Sequence, residues 1–184
     1  MAPDGAAAIG SPVTSTGAAR GDVEFGAFVA AHYGRLLHMA DLLVGDRSKA
    51  EDLLQGVLVR TYRRWSRVRQ DNPLGYVRAA LANARTDLWR RGGRERPSGD
   101  LAEPEHGLVP DHAGQVVGRD AVQRALSVLT ARERTVIVLR FYEDLSEADI
   151  ARTLDIAPGT VKSTCARALA KLRISPDLTT DVSS

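Results

Sequence analysis

Residues Leu145–Arg173 read LSEADIARTLDIAPGTVKSTCARALAKLR, and the rest of the chain is best approached from this stretch. Ser146-Glu147-Ala148-Asp149 puts a capping hydroxyl and two acids at a helix start, where free backbone N–H groups and the helix dipole favour them. Ile150, Ala151 and Leu154 follow at helical spacing and turn inward. Asp155-Ile156-Ala157 is a tight turn, since Pro158 suits the first position of a new helix far better than the interior of an old one. The second helix runs through Arg173, and Ser175-Pro176 stops it. A short helix, a three-residue turn and a longer basic helix make a helix-turn-helix.

The longer helix divides into two stripes. Val161, Cys165, Ala168, Leu169 and Leu172 fall on one face and suit a core. Thr160, Ser163, Thr164, Arg167 and Lys171 fall on the other, with Lys162 at its edge. Short hydroxyls near the helix start and long cations further along are what major-groove reading requires. An ordinary amphipathic surface helix is the plainer alternative. Cys165 lies on the core stripe, as a small buried hydrophobe would.

Upstream, Val122, Leu126 and Leu129 line one short helix. Thr130-Ala131-Arg132-Glu133 forms a capping box that opens another through Val136, Ile137, Leu139 and Arg140. Residues 97–118 hold proline, glycine and four acids with no Lys or Arg, which reads as a flexible acidic linker. Such a linker permits many placements of whatever it joins.

Before the linker lies a second bundle. Asp22 caps a helix carrying Phe25, Phe28, Val29, Leu36, Leu37, Ala40 and Leu43. After Gly45-Asp46 comes a helix with Leu53, Leu54, Val57, Leu58, Thr61, Tyr62 and Trp65 inward and Asp52, Gln55, Val59, Arg60 and Arg63 outward. Ser66 to Asn72 is a loop, because Pro73 disfavours a helical Asn72. A third helix runs from Pro73 to Arg91 and ends at Gly92-Gly93. The expected architecture is all-α, in two small helical domains: 1–22 a disordered tail, 23–96 the first bundle, 97–118 the linker, 119–174 the second bundle, 175–184 a disordered tail.

The formal net charge of +2 conceals a segregated pattern. Arg60 to Arg96 holds eleven arginines against three acids, and residues 151–174 hold five bases against Asp155 alone. Two basic blocks flanking an acidic linker point to nucleic acid through counterion release, or else to two solvated helix faces. On the third helix, Arg78, Asn83, Arg85, Asp87, Arg90 and Arg91 accompany Tyr76, Leu81, Leu88 and Trp89. Aromatics beside arginines can stack on unpaired bases while cations hold phosphates, although Tyr76 and Trp89 also fit as core residues.

Other functional classes find little support. There is no P-loop, no dinucleotide glycine fingerprint and no HExxH, so no catalytic residue, metal site or cofactor is expected. One cysteine excludes an internal disulfide framework. No apolar run nears the ~20 residues that span a bilayer. Met1 to Gly21 lacks a basic start and an apolar core, so a cytoplasmic setting away from membranes is expected.

Ala50-Glu51-Asp52-Leu53-Leu54-Gln55, Asn72-Pro73, Tyr76-Val77-Arg78, Asn83, Asp87 and Arg90-Arg91 resemble region two of the bacterial sigma factors. Phe141-Tyr142-Glu143-Asp144-Leu145-Ser146 and Gly159-Thr160-Val161-Lys162-Ser163 resemble region four. Two regions on a short tether resemble the extracytoplasmic-function class, and in detail its actinobacterial SigE-like group. The resemblance implies a dissociable factor that binds core RNA polymerase, recognises −35 and −10 promoter elements, helps melt DNA and starts transcription of a specific regulon. It implies that Asp52, Gln55, Arg60 and Arg63 dock on the β′ clamp coiled coil, and that region four meets the β-flap tip. It also implies that the loop with Arg67, Arg69 and Asn72, together with Arg78, Asn83, Arg85, Arg90 and Arg91, faces the −10 strand. The −35 duplex falls to Thr160, Lys162, Ser163, Thr164, Arg167 and Lys171. An anti-sigma partner is common in the class and is a candidate here, although no residue reports one.

The chain departs from the family pattern in several places. Gly56 stands inside a helix where Glu is common, at about 1 kcal/mol relative to alanine. Asp155 replaces the usual turn glycine, Ala157 the usual capping Ser, and Thr164-Cys165 a frequent Arg-Leu pair. A conventional helix-turn-helix regulator explains residues 145–173 equally well, but leaves the arginine-rich third helix without a purpose.

Overall fold

The computed structural model describes residues 15–92 and 116–174, with side chains for 19–85 and 119–174. The elements are α1 (Ser15–Val44), α2 (Arg47–Tyr62), α3 (Trp65–Val68), α4 (Pro73–Gly92), α5 (Val116–Ser127), α6 (Ala131–Ile137) with a π-helical continuation over Val138–Tyr142, α7 (Glu147–Leu154) and α8 (Pro158–Ile174). No strand occurs among the described residues, and the all-α expectation holds.

In the first bundle, α2 buries Ala50, Leu54, Val57, Leu58 and Thr61, one helical stripe, against α1 and α4. Asp46 caps α2 by accepting the Lys49 N–H at 2.9 Å. The scarce aromatics gather at one end, where Phe25 packs on Phe28, Tyr62 and Trp65 with ring centroids 5.1–6.4 Å apart. Two boundaries differ from expectation. The helix starts at Ser15, so Asp22 is no cap, and its carboxylate accepts the Tyr62 hydroxyl at 2.6 Å. Arg20, paired with Glu24 one turn later at 2.9 Å, helps carry the helix back into the polar tail. Residues 1–14 lie outside the described part, as do 93–96 at the end of the first bundle, 97–115 of the linker, and 175–184. Residues 116–118, assigned to the linker from sequence, already belong to α5.

In the second bundle the Thr130 capping box forms: Glu133 N–H donates to Thr130 Oγ1, and Glu133 Oε2 accepts the Thr130 N–H. Beyond Ile137 the helix widens to a π turn, with Glu143 N–H donating to the Val138 carbonyl. Asp144 and Asp155 take the left-handed conformation, each at φ 52°. Asp155 tolerates the αL position expected of a glycine and ends α7.

The two bundles pack directly on each other. Helix α4, with Val77, Leu81 and Ala82 fully buried, touches α1 and α2 within its own bundle and α6 and α7 of the other. One continuous apolar core runs from Leu36, Leu43 and Leu54 to Val136, Leu139, Ile150 and Val161. Polar contacts frame the seam. Asp41 is fully buried and receives Arg119 Nε at 2.8 Å and Nη2 at 2.7 Å in a bidentate pair. Gly45, at φ +82°, closes the end of α1 with its N–H donating to the Asp41 carbonyl at 2.8 Å. The positive φ favours glycine at position 45, and a Cβ there would lie 3.1 Å from the Arg134 guanidinium, which would have to give by a few tenths of an ångström.

Candidate nucleic-acid and polymerase interfaces

Helix α8 presents part of the predicted reading face to solvent. Lys162, Ser163 and Arg167 are exposed and Thr160 is half-buried, beside an open Pro158-Gly159 start. Two expected members behave differently. Thr164 is only 1% exposed and belongs to the Val161–Ala168 core stripe, because helical steps of three and four residues bring it over α8's buried side. Lys171 reaches back to α6, its Nζ donating to Glu133 Oε2 at 2.8 Å. Burial alone would raise the Glu133 carboxyl; donors from Lys171 and Thr130 outweigh it and hold the group below its usual range. The capping glutamate thus doubles as an anchor for the recognition helix. Cys165, partly buried on the core side, has its thiol pushed up by burial, as a packing residue would.

The α3–α4 segment carries the second basic group. Trp65, read as the end of the preceding helix, instead starts a separate helical turn to Val68 that enters the segment read as a loop, because Trp65 and Val68 both bury on the first bundle. Arg67 is exposed. Arg69 pairs with Glu24 of α1, and the carboxyl of Glu24 is held low by Arg69 and then Arg20. Asn72 caps α4, its Oδ1 accepting the Gly75 N–H at 2.8 Å, and the bare Gly75 lets that side chain fold over the first turn. Arg78 pairs with Glu143 of the second bundle at 3.1 Å, Asn83 donates to the Thr153 carbonyl at 3.2 Å, and Arg85 donates to the Leu43 carbonyl at 3.1 Å. Burial pushes the Arg85 guanidinium down. Tyr76 is half-buried against the core, its hydroxyl accepting Arg64 at 3.4 Å. Trp89, Arg90 and Arg91 lie outside the described side chains.

On α2, Asp52, Gln55, Arg60 and Arg63 are all exposed. Between them stand two large apolar groups, Val59 at 53% and Tyr62 at 47% exposure. Tyr62 was expected to face inward; it lies one turn beyond Leu58, where α2 runs past the core and meets Asp22 instead. An apolar centre ringed by charge is the pattern of a protein-docking surface. In the second bundle Val122, Val128 and Phe141 are likewise exposed, Phe141 at 61%. Unpartnered apolar residues on a half-buried helix were the signal available for these.

Residues 28–95 match Sigma-70 region 2, and residues 119–172 match Sigma-70, region 4. The chain is 41% identical over 159 residues to an RNA polymerase sigma-E factor of Streptomyces avermitilis, spanning 84% of this chain and 87% of that protein. The chain belongs to the extracytoplasmic-function sigma factors. It is also 34% identical over 142 residues to the ECF RNA polymerase sigma factor SigM of Mycobacterium tuberculosis, covering 77% of this chain and 71% of that one. Among solved structures, the sigma factor RpoE in its complex with the anti-sigma factor NepR from Bartonella quintana superposes with a TM-score of 0.62 at 25% identity, covering 86% of this chain and 98% of that one. The first bundle is therefore sigma region two and the second region four. A sigma factor recognises promoters and initiates transcription with core RNA polymerase, and both sigma regions are in place here. Among the described residues no helix is long and apolar enough to cross a membrane, and no group of His, Cys, Asp or Glu is placed to hold a metal.

Proposed function

We propose a division of labour among three surfaces of this sigma factor. Thr160, Lys162, Ser163 and Arg167 read the −35 duplex from α8, with the N-terminus of that helix turned toward phosphate. Arg67, Asn72, Arg78, Asn83 and Arg85, continued by Arg90 and Arg91, hold the unpaired −10 strand, arginines on phosphate and Asn83 on a base edge. Asp52, Gln55, Arg60 and Arg63, around Val59 and Tyr62, dock on the β′ clamp coiled coil. The exposed apolar groups of region four meet the β-flap tip. The factor has no chemistry of its own and acts in the cytoplasm, where its polymerase is. An anti-sigma protein that covers the α2 surface would silence it; the similar sigma factor RpoE of Bartonella quintana is seen in complex with an anti-sigma factor, NepR.

The observation that carries this reading is the presence on one chain of two separate basic faces, α8 and α3–α4, with an apolar docking face on α2. A lone helix-turn-helix regulator needs only the first. Run-off transcription on pooled genomic promoter fragments, with core polymerase in the presence and absence of the factor, is the test. Discrete new transcripts that vanish when Val59 and Arg63 are both replaced by Glu support the docking assignment. A symmetric footprint on duplex DNA without polymerase supports the regulator instead.

A further inference from the structure

The start of α1 does more than extend a helix into the polar tail. At about 100° per residue, Glu24, Gly21, Phe25 and Asp22 succeed one another around one side of the helix. They meet the chain beyond α2 in matching order. The Glu24 carboxylate pairs with Arg69, and a Cβ on Gly21 would touch the Trp65 ring at 3.9 Å. Phe25 packs edge-on against Trp65 and tilted against Tyr62, with ring centroids 5.1 Å apart in both pairs. Asp22 accepts the Tyr62 hydroxyl at 2.6 Å. Helix α1 therefore lies across the corner from Tyr62 to Arg69, and that corner leads into the loop before α4.

A carboxylate on Arg69 could either mask that arginine or aim it, and charge favours aiming. Glu24 also accepts Arg20 Nε at 2.9 Å, so one acid stands between two guanidinium groups and the cluster stays positive toward a phosphate. The Arg69 side chain remains 34% exposed. Glu24 engages it through Nη1 alone, and a rigid fork held at one nitrogen still carries donors on Nε and Nη2.

We propose that Glu24 of α1 is a positioning residue for −10 recognition, holding Arg69 so that its guanidinium takes one phosphate of the unpaired strand. The proposal rests on the assignment of the loop before α4 to that strand. An arginine ordered before the strand arrives spares binding the cost of ordering it. Asn72, three residues on, is likewise fixed in advance by its bond to the Gly75 N–H at 2.8 Å. The loop is thus set from both ends, by α1 through Glu24 and by α4 through Gly75. Helix α1 takes part in promoter reading without touching DNA.

The test uses the full chain assembled with saturating core polymerase. Fluorescence anisotropy reports affinity for a labelled single strand of about 12 nucleotides, the non-template −10 segment of a promoter mapped by run-off transcription. The parent is compared with Glu24→Gln, Arg69→Ala, the double variant and Asp22→Asn. Glu24→Gln and Arg69→Ala are each expected to weaken binding about fivefold, and the double variant no more than Arg69→Ala alone. Asp22→Asn removes another contact of the same corner without touching Arg69, and is expected to stay within about twofold of the parent. Tighter binding by Glu24→Gln overturns the proposal, because the carboxylate would then be masking Arg69. So does a Glu24→Gln loss that persists without Arg69, or an equal loss in Asp22→Asn, since either makes Glu24 a support of the fold alone. If Arg69→Ala binds as the parent does while Arg67→Ala and Asn72→Ala weaken, the role of Glu24 falls and the loop assignment stands. If none of the three weakens, the loop assignment falls as well. Should Glu24→Gln melt early, Glu24→Ala carries the same comparison.

Discussion

Arg134 of region four donates through Nε to the carbonyl of Leu42, in the last turn of region two's first helix, at 2.6 Å. The last carbonyls of a helix have no partner within it, and the dipole leaves negative charge there. Arg134 meets both needs. The Asp41 carbonyl accepts Gln123 Nε2 at 3.0 Å, and the Leu43 carbonyl accepts Arg85. Arg134 also donates to Gln123. Burial pushes the Arg134 guanidinium down to about 10, the positive charge of Arg85 adding to that and Asp41 opposing it. Even so it stays charged at neutral pH, so the α1 C-terminus is neutralised by a residue from the other half of the molecule.

Replacing Arg134 by Met keeps the bulk and removes the donors. The Leu42 carbonyl then loses its partner in a buried seam, a loss of about 1.5–3 kcal/mol for a bond to a charged group. Chemical denaturation followed by far-UV circular dichroism is expected to show region two and region four melting as two steps where the parent shows one. A single transition at the parent midpoint would mean that the seam does not couple them.

The two cations at the end of the recognition stripe are expected to separate by role. If Arg167 holds a phosphate of the −35 duplex as proposed, Arg167→Ala lowers the slope of log K against log salt by about 0.9. Lys171→Ala leaves that slope unchanged, because its ammonium is engaged with Glu133, and instead lowers the melting temperature of region four. Thr164→Val, isosteric inside the core, leaves duplex affinity unchanged. A loss of salt slope in Lys171→Ala would return that residue to the DNA face.

What the sequence carried legibly was periodic. Val161, Ala168, Ile150 and Leu54 declared their burial through helical spacing, and the Thr130–Glu133 box and the Asp155 turn declared their geometry through local hydrogen-bond chemistry. Thr164 was not legible, since a hydroxyl one step from the stripe edge can fall on either side, and burial depends on what α6 presents. Nor was Glu143, whose burial depends on a π turn and on two arginines of region two, Arg35 and Arg78, that enclose its carboxylate. The seam as a whole escaped because it joins residues about 65 to 110 positions apart through long polar side chains, which have no sequence period. The three surfaces of the proposed function were readable as composition, but the packing of α6 and α7 against α4 was not.

Gly56 offers a test of pure helix propensity. It sits within α2, and an added Cβ meets only the end of the Arg60 side chain at 3.4 Å, an ordinary contact with a group that can move. Gly56→Ala is therefore expected to stabilise region two by about 1 kcal/mol. Equilibrium urea denaturation reads the change as a shifted midpoint with unchanged slope. A destabilised variant would mean that the Arg60 rotamer matters to α2.

Acid should loosen region four through one carboxylate. The Glu133 carboxyl, which burial alone would raise, is held below its usual 4.5 by Lys171 Nζ at 2.8 Å and by the Thr130 N–H and hydroxyl at 2.9 and 3.0 Å. A group whose folded value lies below its unfolded one binds fewer protons when folded. Its stabilisation is therefore complete above the unfolded value and disappears as the pH falls through the folded one. Melting temperatures measured between about pH 7 and about pH 3 are expected to be level down to about 4.5 and then to fall. Glu133→Gln should melt lower at neutral pH and show a shallower acid limb, since the ionic partner of Lys171 is already gone. Parallel acid limbs in parent and variant would place the acid-sensitive group elsewhere, with Asp149, held low by the Ser146 hydroxyl and by Arg152 at the start of α7, the next to replace.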